Sequence, residues 1–188
     1  SVSSTCGNSW SLWHVTALGS NDVWAVGAAG SLKTLGIHWD GAQWNLVPTP
    51  AFGNDISNEV LVGMVANSST DIWAVGQYLV PLLGSAQQTL TEHWDGTSWT
   101  MEAAPGPDPH QNYVWDIDTS LSGQAWTVGE YGGDGGGGFL DEPGIQDVRH
   151  LADQWTGASW NTSQTINQSP QYYTIDGVIA VAADYACT

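Results

Sequence analysis

Short runs of alternating apolar and polar residues follow one another along the whole chain, broken by Gly, Asn, Asp and Pro. Residues 12–18 read Leu-Trp-His-Val-Thr-Ala-Leu and predict a strand. Gly19-Ser20-Asn21-Asp22 is a turn, residues 23–27 a second strand and residues 35–40 a third. Asp40-Gly41 signals a hairpin, with residues 43–47 as the fourth strand. Pro48-Thr49-Pro50 ends the unit. No stretch carries the 3.6-residue period of a helix.

The pattern then repeats. A second set of four strands is predicted at 61–66, 71–78, 88–94 and 98–102, and a third at 114–119, 124–130, 149–155 and 159–162. Between the second and third sets, Pro105, Pro107 and Pro109 predict an extended connector, because proline fixes φ and restricts its predecessor. Residues 175–182 read as the first strand of a fourth set that lacks its hairpin. The repeated words are Asp22-Val23-Trp24-Ala25-Val26-Gly27, Asp71-Ile72-Trp73-Ala74-Val75-Gly76 and Gln124-Ala125-Trp126-Thr127-Val128-Gly129. Each is followed by its partner: His38-Trp39-Asp40-Gly41-Ala42-Gln43-Trp44, His93-Trp94-Asp95-Gly96-Thr97-Ser98-Trp99, and Gln154-Trp155-Thr156-Gly157-Ala158-Ser159-Trp160. Repetition at about 50 residues, with four short strands per copy, is the sign of a radial repeat and predicts an all-β β-propeller. The units fall at 11–58, 59–111, 112–171 and, in part, 172–188, within a single domain. The N-terminal segment 1–10 or a neighbouring chain is expected to complete the last unit.

If the strands of each unit are labelled a to d, the a–b and c–d turns are short in every copy. The separations between the b-strand and c-strand tryptophans are 15, 21 and 29 residues. The b–c and d–a connectors leave a blade on the same side, so one face is trimmed and the other elaborated. Variable loops on a rigid scaffold are where binding usually sits.

Charge narrows the function classes. Two basic residues, Lys33 and Arg149, stand against 19 acidic ones, for a net charge of −17. Nothing here can neutralise phosphates, so nucleic acid and anionic membrane surfaces are not expected partners. No apolar run approaches the roughly 18–20 residues that cross a bilayer, so membrane insertion is not expected. Ser1 opens no signal peptide, so the chain reads as already processed. Cys6 and Cys187, close to the two ends, are expected to pair as a disulfide, with two free thiols as the alternative. That pairing implies an oxidising, extracellular or cell-surface setting.

These motifs resemble the bacterial cell-surface β-propeller repeats that read Asp-Val-Trp-Ala-Val-Gly and then His-Trp-Asp-Gly-Thr-Ser-Trp. Those repeats are relatives of the kelch and galactose-oxidase-like propellers and, more distantly, of tachylectin-type lectins. The resemblance spans about residues 11–182 and is specific for fold rather than activity. Propellers of this kind close with whole blades, usually more than this chain supplies.

Most candidate chemistry folds into the scaffold. Nine of the twelve tryptophans occupy repeated positions, Trp13 and Trp115 match one another, and only Trp10 is left over, so inter-blade packing is the expected role. His38 and His93 are repeat-equivalent with Gln154, which points to a structural hydrogen bond, since an amide shares that capacity but not the basicity. Asp40 and Asp95 belong to hairpin turns. No zinc spacing, nucleophile elbow or phosphate loop is present. Paired carboxylates for glycoside hydrolysis remain the least favoured reading, and no enzyme activity is expected. In the Gly-rich stretch 131–147, Asp134, Asp141, Glu142 and Asp147 could ligate Ca²⁺, against a solvated loop as the default; no other cofactor is expected. Tyr78, Tyr113, Tyr131, Phe139, Tyr172 and Tyr173 gather on the elaborated side, where they could stack on sugars or pack on a subunit. Asn67, Asn161 and Asn167 carry the N-glycosylation sequon.

Two functions follow as expectations. The first is a non-catalytic, secreted structural protein that forms a homo-oligomer or polymer, as subunit of an extracellular filament or surface layer. Its motive is the unfinished fourth unit, whose free strand edge invites pairing. The second is a lectin-like module that binds glycans through the elaborated face.

Overall fold

The computed structural model describes residues 9–30, 33–50, 58–80, 86–104, 106–109, 111–120, 122–132 and 149–163. It contains three four-stranded antiparallel sheets. The first is β1 (Trp10–Gly19), β2 (Asp22–Ala29), β3 (Lys33–Trp39) and β4 (Trp44–Val47). The second is β5 (Val60–Ser68), β6 (Asp71–Val80), β7 (Ala86–Trp94) and β8 (Trp99–Glu102). The third is β9 (Asn112–Thr119), β10 (Ala125–Tyr131), β11 (Arg149–Trp155) and β12 (Trp160–Ser163). In each sheet the strands lie side by side in chain order, as hairpin connections require.

The b and c strands run further than the alternation predicts. β6 continues to Val80 through the pairs Tyr78↔Gln88, Leu79↔Gln87 and Val80↔Ala86. Tyr78, Tyr113 and Tyr131 lie within strands β6, β9 and β10 respectively. The calcium candidates Asp134, Asp141, Glu142 and Asp147, the aromatics Phe139, Tyr172 and Tyr173, Asn167, both cysteines and strand 175–182 lie outside the described residues.

Two features recur in all three sheets. The first strand is bulged at Trp13, Val62 and Trp115, each the extra residue in its register. Opposite the bulge stands the last glycine of the repeated word. A Cβ on Gly27, Gly76 or Gly129 would overlap the carbonyl oxygen of Ser11, Val60 or Tyr113 respectively. Glycine is needed there for space and not for an unusual φ, because the bulge drives the neighbouring backbone into the sheet. The c–d hairpins form the second feature. Gly41, Gly96 and Gly157 have φ of 94°, 95° and 92°, a region that disfavours any Cβ.

The sheets pack face to face in sequence, β1 and β2 against β5, then β5, β6 and β7 against β9. Alternate residues of each strand face opposite ways, so each sheet has one face towards its predecessor and one towards its successor. Trp24 and Val26 pack with Leu61, Met64, Ile72, Ala74, Leu90 and Trp99 between the first and second sheets. Trp73 and Val75 pack with Val114, Ile117, Ala125 and Trp160 between the second and third. The two interfaces share one aromatic design. Trp24 lies 5.0 Å from Trp94 and 6.0 Å from Trp99, and Trp73 lies 4.9 Å from Trp155 and 5.5 Å from Trp160, centroid to centroid. A b-strand indole from one sheet is thus held by the c–d indole pair of the next.

Candidate functional site

The most chemically suggestive constellation is a repeated Asp–His–Trp cluster. Asp22 and Asp71 each open a b strand directly after the a–b turn. His38 is the cross-strand partner of Trp24, and His93 of Trp73, so each pair shares a sheet face. His38 Nε2 lies 2.8 Å from Asp22 Oδ1, and His93 Nε2 lies 2.8 Å from Asp71 Oδ1. Each imidazole stacks on its tryptophan, at 4.4 Å and 29° in the first sheet and 4.2 Å and 21° in the second. Trp24 also donates its indole N–H to Asp22 Oδ1 at 3.0 Å.

An Asp-oriented imidazole supplies two of the three members of a nucleophilic triad. Among the described residues no hydroxyl or thiol side chain is hydrogen-bonded to either ring. The third sheet carries Gln124 and Gln154 where the others carry Asp and His. Both members change together, which keeps the hydrogen-bonding capacity and discards the charge and the base. The cluster therefore orients the buried indole. We expect His93→Ala to cost about 1–2 kcal/mol, from one hydrogen bond and one ring contact. The double change Asp71→Gln with His93→Gln, which installs the third sheet's pair, should cost less. Urea unfolding of both variants checks this; equal losses would remove the paired side chains from the explanation.

The hairpin carboxylates are turn acceptors. Asp40 Oδ1 accepts the N–H groups of Ala42 and Gln43 at 2.8 and 2.9 Å, and Asp95 Oδ1 those of Thr97 and Ser98 at 2.7 and 2.9 Å. These backbone donors, with Gln43 first for Asp40 and Ser98 first for Asp95, hold both carboxyls below the ordinary aspartate range. Thr156 takes the place in the third sheet, its hydroxyl donating to the Ser159 carbonyl at 2.9 Å.

A buried acid cluster that strand alternation alone does not single out lies between the first and second sheets. Glu92 on β7 and Glu59 just before β5 are both inaccessible to solvent. Lys33, one of only two basic residues in the chain, reaches Glu59 at 3.6 Å. Burial first, and then the Glu59 charge, push the Glu92 carboxyl up to about 8; Thr34 pulls weakly the other way. The Thr34 hydroxyl also donates to Thr49 Oγ1 at 2.8 Å. In the third sheet Asp153 holds the equivalent position, fully buried, and burial pushes it up to about 7. The first sheet has Ile37 there. Carboxyls sealed between sheets can take no substrate, so their raised values report packing and not general-acid chemistry. The readable signal was the repeat alignment, which places Glu92 and Asp153 on the same inward position as an isoleucine.

Three of the aromatics expected to stack on sugars or pack on a subunit lie among the described residues. Tyr78 packs at the edge of the first–second core and lines a shallow hollow of about 330 Å³ with Gln88, Met101 and Glu102. Tyr113 stacks on Trp115 of its own strand at 5.5 Å and donates to Gln111 Oε1 at 2.8 Å. Tyr131 ends β10, half-buried, across from Asn112. Asn67 and Asn161 are exposed, and Asn67 Nδ2 donates to Asp71 Oδ2 at 2.9 Å. Among the described residues no group of three or more His, Cys, Asp or Glu side chains is placed to hold a metal ion. No helix among the described residues is long and apolar enough to cross a membrane. No protein-family model matches the chain, and no curated protein matches it.

Proposed function

We propose that this chain is a non-catalytic structural β-propeller module of the cell exterior, assembling with copies of itself into a filament or surface layer. One observation carries the reading. At positions on β1 and β4 the first sheet is open where the repeat-equivalent residues of the second and third sheets are buried. Val15 is 62% exposed where Met64 and Ile117 are 2% and 3%. Trp44 is 37% exposed where Trp99 and Trp160 are 5% and 9%. Trp10, Leu12, Trp13 and Leu46 extend the same apolar exposure along β1 and β4. A large apolar area on an edge strand marks an interaction surface. The hairpin carboxylates and the Asp–His–Trp clusters, by contrast, serve turns and packed indoles. The net charge of −17 opposes association at low ionic strength. Assembly is therefore expected to strengthen with salt.

Sedimentation velocity and negative-stain imaging at rising protein concentration test this. Growth of oligomers at 150 mM salt and above is expected; a monomer at every concentration and salt tested would sink it. A lectin-like role is the second reading, favoured by the hollow beside Tyr78, whose ring, Gln88 and Glu102 offer a sugar one stacking surface and two polar partners. A glycan array on which the Tyr78→Ala variant binds as the native protein does would remove that site.

A further inference from the structure

The two inner interfaces define a knob and a socket, and each end of the stack retains one half of the pair. The knob is the b-strand indole: Trp24 in the first sheet, Trp73 in the second, Trp126 in the third. The socket is the c–d indole pair of the following sheet. Trp94 and Trp99 stand 5.9 Å apart at 48° and receive Trp24, while Trp155 and Trp160 stand 5.6 Å apart at 56° and receive Trp73. The first sheet holds the same pair in the same geometry: Trp39 and Trp44 are 5.9 Å apart at 53°. No b-strand indole is seated on it among the described residues, and Trp44 is exposed. At the other end Trp126 is half-buried where Trp24 and Trp73 are buried, and no ring packs on it among the described residues.

We propose that Trp126 of one copy docks on the Trp39–Trp44 pair of a second copy, so that the indole contact of the inner seams recurs head to tail between molecules. This rests on the self-assembly reading and gives it a contact. Three observations select a second copy as the occupant. The socket is already formed without its knob, so docking loses little freedom. Its shape is that of an indole presented by a Trp-x-Val strand, which the other end of this chain presents. All twelve tryptophans lie among the described residues, so no other segment of the chain can supply either half in kind. The centre of the first sheet's outer face, at Ala25, Leu35 and Ile37, is already buried, which confines the contact to the c–d end of the sheet. The interface is heterologous: it uses two different surfaces, so it propagates as a fibre unless its rotation closes a ring.

Two variants of the full chain test the contact. Trp44→Ala removes half the socket and leaves the knob; Trp126→Ala removes the knob and leaves the socket. Each alone is expected to weaken self-association about thirty-fold or more, as loss of a central tryptophan does at other interfaces. Mixed in equal amounts they should form a dimer and stop, because only one intact knob and one intact socket remain between them. Where Trp126→Ala loses its circular dichroism signature, Trp126→Gln replaces it, a side chain that suits its cross-strand neighbour Gln154. If the native chain assembles and both variants assemble equally well, this contact is wrong and assembly uses another surface. If the mixture grows as long as the native protein, the contact is likewise wrong. If the native chain is monomeric throughout, the assembly reading falls and the contact with it.

Discussion

Replacing Gly76 with alanine is expected to cost about 3–4 kcal/mol. The added Cβ would meet only backbone: the Val60 carbonyl oxygen, with its carbon at 2.7 Å and the Leu61 Cα at 2.9 Å. No flexible side chain can swing aside. β5 would have to lift from β6, breaking the pairs Val60↔Gln77 and Leu61↔Gly76. Leu61 is fully buried in the core between the first and second sheets, so the displacement reaches that interface too. For a domain of this length the loss corresponds to a fall of roughly 10 °C in melting temperature. Gly19→Ala is the control, since a Cβ there meets nothing within 4 Å. Thermal and urea unfolding of the two variants decide the matter; a Gly76→Ala loss under about 1 kcal/mol would mean that the first strand adjusts freely and that the glycine has another cause.

That glycine also shows how far the sequence could be read. The repeated word and its hairpin placed every described strand, because alternation and the Asp-Gly turn both act locally and leave their mark in neighbouring residues. The bulges at Trp13, Val62 and Trp115 left no such mark: an inserted strand residue has no composition of its own, and only the glycine across from it betrays the crowding. The equivalence of His38, His93 and Gln154 pointed to a hydrogen bond, but its partner became visible only in the folded chain, where Asp22 and Asp71 meet the rings. Exposure was not legible at all. Val15, Met64 and Ile117 are alike in chemistry and register, yet Val15 is exposed and the other two are buried. Periodicity tells which face a residue takes, and what packs on that face decides whether the residue meets protein or water.

The buried carboxyls turn the same packing into a dependence on pH. Glu92 titrates near 8 in the folded chain, above the ordinary glutamate range of about 4.3, so the folded state binds a proton that the unfolded state releases. Its contribution is whole below the unfolded value and is lost as pH rises towards and through 8. At about 1.4 kcal/mol per pH unit, Glu92 alone should remove about 3 kcal/mol of stability between pH 5 and pH 8. Asp153, raised to about 7, adds a loss of the same sign over a slightly lower window. The lowered carboxyls Asp40 and Asp95 act oppositely, but only below the ordinary aspartate range, and they are fully exposed. The chain should therefore unfold at a higher temperature at pH 5 than at pH 8. Glu92→Gln keeps the shape and removes the charge, so it should leave stability at pH 5 nearly unchanged, raise it at pH 8 by about 3 kcal/mol, and flatten the profile between. Lys33 cannot substitute for this change, since its ammonium is drawn to Glu59. Calorimetry of the native and Glu92→Gln chains across that range reads the difference directly. Parallel profiles would mean that Glu92 reaches water in solution and that the seam between the first two sheets is looser than its packing implies.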